Sequence, residues 1–269
     1  MDKPVVIVTG ASRGLGAAVA RWLGAMKVNV ALVARSRDGI GSVAGDVAHL
    51  GGNALPLAAD VSDARACRQV IHDAIDRFLR IDAVINNAAT ITPLSPIASA
   101  NEDAWRHAIE VNLMGPFYLS KFALPFLKES RGRIINISSG AAHTAIPGAG
   151  AYCVSKAGLT HLTRILAAEH PEITPISVRP GVVDTAMQTR LRGEGGQSLE
   201  TEQHSYYMNL KKTGALEPPE IPGRSIAWLA LHAPAAMSGE FRSYDDPDIM
   251  APAKAMLGGS LPLKFAPEV

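Results

Sequence analysis

Apolar positions along the chain fall into two alternating patterns. Six short runs are almost continuously apolar: Val5–Val8, Val28–Val33, Ala54–Ala58, Ala83–Ile85, Ile134–Ile137 and Ile176–Val178. An unbroken run predicts a strand covered on both faces, as in a parallel sheet, whereas a strand with one wet face would alternate. Between the runs, apolar side chains recur at helical spacing. Leu15, Ala18, Val19, Trp22 and Leu23 make one such face. Cys67, Val70, Ile71, Ala74, Ile75 and Phe78 make a second, and Ala157, His161, Leu162, Ile165 and Leu166 another. Ser62 is placed to cap the second helix. Ser99-Ala-Asn-Glu102 reads as a capping box opening a helix through Trp105 and Ile109. Repeated strand–helix–strand units with right-handed crossovers predict an α/β doubly wound parallel sheet of about seven strands, with helices on both faces.

No linker, repeat or low-complexity tract divides the 269 residues, so one domain is expected over 1–269. Two stretches break the rhythm. Residues 186–216 hold Gly193, Gly195, Gly196 and many polar side chains, which suits a substrate lid or a disordered insertion. Residues 247–269 hold Pro252, Pro262 and Pro267 and read as a C-terminal tail, with a frayed end the simpler expectation.

Composition narrows the class. Lys and Arg number 26 against 25 Asp and Glu, a formal charge of +1, so no basic excess recruits nucleic acid. Hydrophobic residues at 47% and charged residues at 19% suit a globular chain rather than a disordered one. Cys67 and Cys153 alone make no disulfide framework, which points to a reducing compartment. No apolar run approaches the ~18 residues of a membrane span, and Val5–Val8 is too short for a signal-peptide core. A soluble cytoplasmic protein with neither membrane nor nucleic-acid partner is expected. The eight histidines show no H-x-x-x-H spacing or Cys/His cluster, so no metal site is indicated.

Thr9-Gly10-Ala11-Ser12-Arg13-Gly14-Leu15-Gly16 joins the first strand to the first helix. A glycine cluster alone suits a plain tight turn equally well. In this position, Gly10 allows a sharp turn, Gly14 lets backbone approach a ligand and Gly16 lets helix pack on strand, so the helix N-terminus can face a dinucleotide pyrophosphate. The spacing G-x-x-x-G-x-G differs from G-x-G-x-x-G and lacks the Gly-Lys-Ser/Thr of a triphosphate loop. The end of the second strand reads Ala34-Arg35-Ser36-Arg37, with no carboxylate before Asp38. An acidic residue there would bind the ribose 2′-hydroxyl of NAD. Arg35 and Arg13 instead offer charge to a 2′-phosphate, which points to NADPH.

Tyr152-x-x-x-Lys156 places a phenol and an ammonium on one helix face. A free tyrosine has a pKa near 10, and a neighbouring cation is expected to lower it. Ser139, thirteen residues earlier, directly follows a strand, where open α/β sheets gather ligands. Cys153 suits a small packing residue better than a nucleophile. Trp105 and Trp228 suit core or subunit interface. Met187, Met208, Tyr206 and Tyr207 either line a substrate pocket or simply cover the fold.

Gly10-x-x-x-Gly14-x-Gly16, Asp60-Val61, Asn86-Asn87-Ala88, Asn112, Ser139, Tyr152-x-x-x-Lys156 and Pro180-Gly181 occur in an order and spacing that resembles the short-chain dehydrogenase/reductase family, over about residues 4–245. Ala89 stands where that family usually has glycine. The resemblance implies a Rossmann fold, an NADP(H) cofactor, a small-molecule carbonyl substrate and a homodimer or homotetramer. It implies cofactor contacts at Gly10, Ser12, Arg13, Gly14, Leu15, Gly16, Arg35 and Ser36. Asp60 and Val61 would hold the adenine edge, and Asn86 and Ala88 would line the ribose and phosphate path. Pro180, Gly181, Val183 and Thr185 would anchor the carboxamide and pyrophosphate. Tyr152 would move the proton while Ser139 holds the substrate oxygen. Lys156 would bind the nicotinamide ribose and tune Tyr152, and Asn112 would hold a water behind Lys156.

The stretch Pro180-Gly-Val-Val-Asp184-Thr185-Ala-Met187-Gln188, with Ser238-Gly-Glu240 and Ser243-Tyr244-Asp245-Asp246-Pro247, is similar to fungal benzil reductases that form (S)-benzoin, a branch near the sepiapterin reductases. It implies reduction of a small ketone or 1,2-diketone. A biosynthetic reductase of a pterin or carrier-bound 3-oxoacyl carbonyl stays open. For a carrier, the basic side chains Arg190, Arg192, Lys211 and Lys212 are available. A non-catalytic NADP-binding sensor is a third reading, and the intact Asn112/Ser139/Tyr152/Lys156 set argues against it.

Overall fold

The computed structural model describes residues 3–261. Strands and helices alternate in the order β1 (Val5–Thr9), α1 (Gly14–Ala25), β2 (Asn29–Ala34), α2 (Arg37–His49), β3 (Asn53–Ala58), α3 (Ala64–Phe78) and β4 (Ala83–Asn86). Then α4 (Glu102–Ile109) runs through a π turn at Glu110–Met114 into α5 (Gly115–Ser130), followed by β5 (Arg133–Ile137), α6 (Gly150–Glu169) and β6 (Thr174–Arg179). The chain closes with α7 (Ala186–Glu194), α8 (Thr201–Lys212), α9 (Glu220–His232), β7 (Phe241–Ser243) and α10 (Pro247–Leu257).

The seven strands form one parallel sheet in the order β3-β2-β1-β4-β5-β6-β7, a doubly wound Rossmann-like arrangement. The chain reverses its direction of travel between β1 and β4, and ligands of such sheets bind at the carboxyl ends beside that point. Side chains along β1 explain the continuous apolar runs. Val6 and Val8 join a core built with α1, α2, α9 and α10, while Ile7 joins one built with α3, α5 and α6. Both faces are dry, so every position must be apolar.

Local rules decide several boundaries differently from the sequence pattern. Ser62 does not cap α3, because its N–H and hydroxyl both donate to Asp60 Oδ1, at 3.0 and 2.7 Å. Asp63 caps instead, accepting from Arg65 N. The Ser99 capping box does not form either. Asn101 caps α4 through Ala104 N, which leaves Glu102 at the first helical position instead of the third. The glycine-bearing stretch 186–216 is ordered mostly as α7 and α8, two short helices joined by a tight turn. The tail is also corrected: Pro247–Leu257 is helical, and Ile249 and Ala253 are buried in the core with α9. Residues 262–269, with Pro262 and Pro267, lie outside the described residues. None of the described helices is long and apolar enough to cross a membrane.

Candidate active site

At the carboxyl end of β1 the chain turns through Gly10 and Gly14, with φ of +63° and +56°, conformations that glycine adopts without strain. A Cβ on Gly16 would lie 2.3 Å from Gly10 O, so α1 can sit this close only without a side chain there. The N-cap residue Arg13 makes no side-chain cap, and the positive dipole end of α1 faces the loop. The loop is braced from β4. Asn87 Nδ2 donates to Thr9 O at 2.8 Å and Gly10 O at 3.3 Å, and Thr9 Oγ1 accepts from the N–H groups of Asn87 and Ala88. This cradle fits a pyrophosphate. Leu15 contributes backbone only, since its side chain is buried in the core. Ser12 packs on Gly39 at the start of α2, and Gly14 packs on Thr185 across the cleft.

Arg35 ends beyond β2 with its side chain 74% exposed, 3.9 Å from the Asp60 carboxylate. Burial would raise the Asp60 pKa, but hydrogen bonds from Ser62 and the charges of Arg35 and His107 outweigh it, so Asp60 stays below the ordinary carboxylate range. Ser36 Oγ accepts from Gly39 N and caps α2. Arg13 is exposed and Val61 is buried. Asn86 departs from its expected place. Its side chain turns into the sheet and donates to Asn136 Oδ1 at 2.8 Å, Asn136 Nδ2 donates to Thr163 Oγ1 at 2.9 Å, and Thr163 Oγ1 donates to Leu159 O. Asn86 can therefore line the ribose path with main chain alone. Its neighbours Thr9 and Asn87 do the bracing, and the Asn-Asn pair was the only sequence signal for them.

Ser139 follows β5 and starts a single 3₁₀ turn, its Oγ accepting from Ala141 N. Its hydroxyl faces that of Tyr152 closely enough to favour the phenolate. Lys156, one turn along α6, is buried with Nζ 5.6 Å from the Tyr152 ring centroid and donating to Ile137 O at 2.7 Å. The expected lowering of the Tyr152 pKa is not found. Burial pushes it up to about 12 against the effect of the Ser139 hydroxyl, with small additions from Tyr207 and Cys153. Burial also pulls Lys156 down to about 7. Asn112 lies in the π turn with its side chain committed: Nδ2 donates to Thr90 O and Ser155 Oγ, and Oδ1 accepts from Thr90 N. Both Asn112 amide hydrogens are thereby used within the protein.

Beyond β6, Gly181 (φ +76°) lies against the ring of buried Tyr244, where a Cβ would come 3.0 Å from the ring. Pro180 precedes it and is half-buried. Val183 forms a parallel bridge with Glu217 whose hydrogen bonds use Val182 O and Asp184 N. The Val183 N–H and C=O therefore point away from that bridge, where a carboxamide can meet them. Thr185 Oγ1 donates to Val183 O at 3.4 Å.

The α7–α8 hairpin closes over this end. Ile91, Ala149, Leu191, Leu199 and Tyr207 form a small apolar cluster, and Tyr152, Cys153 and Met187 pack against it. Tyr206 and Met208 are 48% exposed and lie outside it, so the four lid residues divide into two roles. The tip of the hairpin rests on main chain: a Cβ on Gly148 would lie 2.0 Å from Ser198 O. Lys211 is paired with Asp184 at 2.8 Å and Arg190 with Glu194 at 3.1 Å. Trp228 is core, whereas Trp105 is half-buried and packs on Gly150. Among the described residues no three His, Cys, Asp or Glu side chains gather as a metal site. Two open grooves of about 550 and 520 Å³ lie at the opposite end of the sheet, where the strands begin.

Comparison with known proteins agrees with this layout. The sequence model of the family described as short chain dehydrogenase matches residues 4–195. A 3-oxoacyl-[acyl-carrier-protein] reductase of Synechocystis is 34% identical over 236 residues, covering 86% of this chain and 91% of the relative. A benzil reductase ((S)-benzoin forming) of Saccharomyces cerevisiae is 28% identical over 254 residues, covering 90% and 96%. The crystal structure of a short chain dehydrogenase/reductase from Saccharomyces cerevisiae superposes with a TM-score of 0.88 at 30% identity, covering 92% of this chain and 98% of that one.

Proposed function

The chain belongs to the short chain dehydrogenases, and from that premise we propose that it is an NADPH-dependent carbonyl reductase of small ketones, 1,2-diketones in particular. The observation that carries the reading is the pairing of the Ser139 hydroxyl, just after β5, with the Tyr152 hydroxyl on α6, backed by buried Lys156, in a chain whose β1–α1 turn is the glycine loop. NADPH, when bound, supplies the hydride that the carbonyl carbon accepts. Gly10, Ser12, Gly14 and the N–H groups of Leu15 and Gly16 would hold its pyrophosphate. Arg13, Arg35 and Ser36 would take the 2′-phosphate, and Asp60, Val61, Asn86 and Ala88 the adenosine. Pro180, Gly181, Val183 and Thr185 would hold the nicotinamide end, with Lys156 on its ribose.

The remaining chemistry belongs to the protein. Ser139 donates a hydrogen bond to the carbonyl oxygen, holding it beside Tyr152. Tyr152 gives that oxygen its proton as it becomes an alkoxide. A phenol at about 12 is protonated at neutral pH and still more acidic than the alcohol it forms, so it suits proton donation in the reductive direction. The Lys156 ammonium favours the resulting phenolate, and the π turn at Asn112 leads the replacement proton in from solvent. A diketone reduced once leaves as a hydroxyketone with its second carbonyl intact.

The benzil reductase relative supports a diketone substrate, and the 3-oxoacyl reductase relative supports a carrier-bound one. The lid weighs toward the former: Lys211 and Arg190 are already paired with Asp184 and Glu194, which removes part of the basic patch a carrier would need. Homodimeric or homotetrameric assembly and a cytoplasmic location complete the proposal. The test is a ketone panel followed by loss of NADPH absorbance. Benzil reduced faster than a simple aryl ketone supports the reading; a protein that ignores 1,2-diketones and reduces a β-ketoacyl thioester or a pterin side-chain ketone moves to the second one.

A further inference from the structure

We infer that Tyr207 selects the substrate of this site: its hydroxyl donates a hydrogen bond to a second oxygen beside the reacting carbonyl, favouring vicinal dicarbonyl compounds over simple ketones. The inference rests on the reductase reading above and assigns a residue to its substrate preference.

Helix α8 is polar along most of its length and buries one side chain, Tyr207, which is 8% exposed while its neighbours Tyr206 and Met208 are 48% exposed. That side chain reaches the apolar cluster on which Tyr152, Cys153 and Met187 pack. An anchor chosen for packing alone needs no oxygen, since leucine or methionine would fill the same space without burying a hydroxyl. Gln203, one turn earlier on the same helix, sits beside the Tyr207 hydroxyl and favours its ionised form, the effect of an amide N–H turned toward that oxygen. The Tyr207 proton is thus left to give to something else. Burial raises the Tyr207 pKa, which keeps that proton in place at neutral pH. Tyr207 also lies near enough to Tyr152 for its charge to bear on the catalytic phenol. The site therefore offers donors from two sides: Ser139 and Tyr152 from the sheet and α6, and Tyr207 from the lid. A substrate with oxygens on adjacent carbons can use both, whereas a simple ketone uses one.

The experiment compares benzil with deoxybenzoin, which keeps both phenyl rings and loses the second carbonyl. With saturating NADPH, Tyr207→Phe is expected to lower kcat/KM for benzil by about tenfold, the worth of one good hydrogen bond. The value for deoxybenzoin stays within about twofold, and the dissociation constant for NADPH is unchanged. Gln203→Leu, which keeps the ring, is expected to shift the same ratio in the same direction by less, and it replaces Tyr207→Phe should that variant fail to fold. Equal losses on the two substrates, or no loss on benzil, overturn the inference. A wild-type protein that reduces deoxybenzoin and not benzil also overturns it while the reductase reading stands. Reduction of no ketone in the panel sinks the reductase reading itself, and the inference with it.

Discussion

Helices α1 and α8 have the same length, twelve residues, and are built in opposite ways. Helix α1 buries ten of its residues and packs on the sheet, so the glycine loop before it inherits the rigidity of the core. Helix α8 buries Tyr207 alone and is held by a small cluster, an exposed ion pair and the Ser198 contact on Gly148. Exposed ion pairs contribute little, about 0–1 kcal/mol. The glycine-loop half is thus fixed by global packing, and the α7–α8 half by few local contacts. Low local stability of this kind suits the lid proposed for residues 186–216.

The largest expected effect separates chemistry from binding. Tyr152→Phe keeps the ring in its cluster and removes the proton donor. Turnover should fall by at least ~10²-fold, with NADPH affinity little changed by fluorescence titration; near-normal turnover would refute the assigned mechanism. The next contrast sets the two regions directly against each other. Gly16→Ala forces a Cβ to within 2.3 Å of Gly10 O. It should cost about 1–3 kcal/mol of stability and weaken NADPH binding. Gly193→Ala, inside α7 with nothing near its added Cβ, should be neutral or stabilise by up to about 1 kcal/mol. Similar melting shifts for both would erase the distinction. Arg35→Asp tests the edge of the rigid half. The wild type should prefer NADPH over NADH by about tenfold in kcat/KM, as one charged hydrogen bond implies, and the variant should prefer NADH.

The last test reads a slope. Lys156 is depressed to about 7 from an ordinary value of 10.5. Between those values the unfolded chain holds a proton that the folded chain has lost. Raising pH favours the state with fewer protons, so this residue adds stability as pH climbs from about 7 to 10.5 and none of that gain remains below about 7. Lys156→Met should flatten that part of the profile in urea titrations and abolish most turnover. An unchanged profile would show that the lysine is not desolvated.

Strands β1, β2, β4, β5 and β6 were legible because a sheet covered on both faces demands unbroken apolar runs, while β3 carries such a run at the sheet edge with none of its residues buried. Strand β7 is only Phe241–Ser243, half-buried throughout, and offers no such run. The helix caps were misread where two candidates stand within three residues. At Ser62 and Asp63 the choice turns on a third residue, Asp60, which engages the serine. The glycine loop, Ser139, Tyr152 and Lys156 were legible because chain geometry ties residue type to position. The direction of the Tyr152 shift was not, because burial depends on Tyr207 and its cluster, brought in from another part of the chain. Asn86 misled for a related reason: of two adjacent asparagines on a strand end, alternation sends one side chain to the loop and the other into the sheet.

That inward asparagine has a consequence for how the site keeps its dimensions. The line from Asn86 through Asn136 and Thr163 to Leu159 O ties β4, β5 and α6 together. Asn87 on the same strand end grips the glycine loop, β5 leads to Ser139, and α6 carries Tyr152. Apolar contacts resist separation but tolerate sliding, because a methyl group has no preferred partner along a strand. Hydrogen bonds of 2.8 and 2.9 Å between named atoms act as a gauge. The line sets the height of the catalytic helix against the sheet in the way a shim sets a bearing, and a cut in it, such as Asn136→Leu, would let the proton donor drift relative to the cofactor cradle while both kept their own shapes.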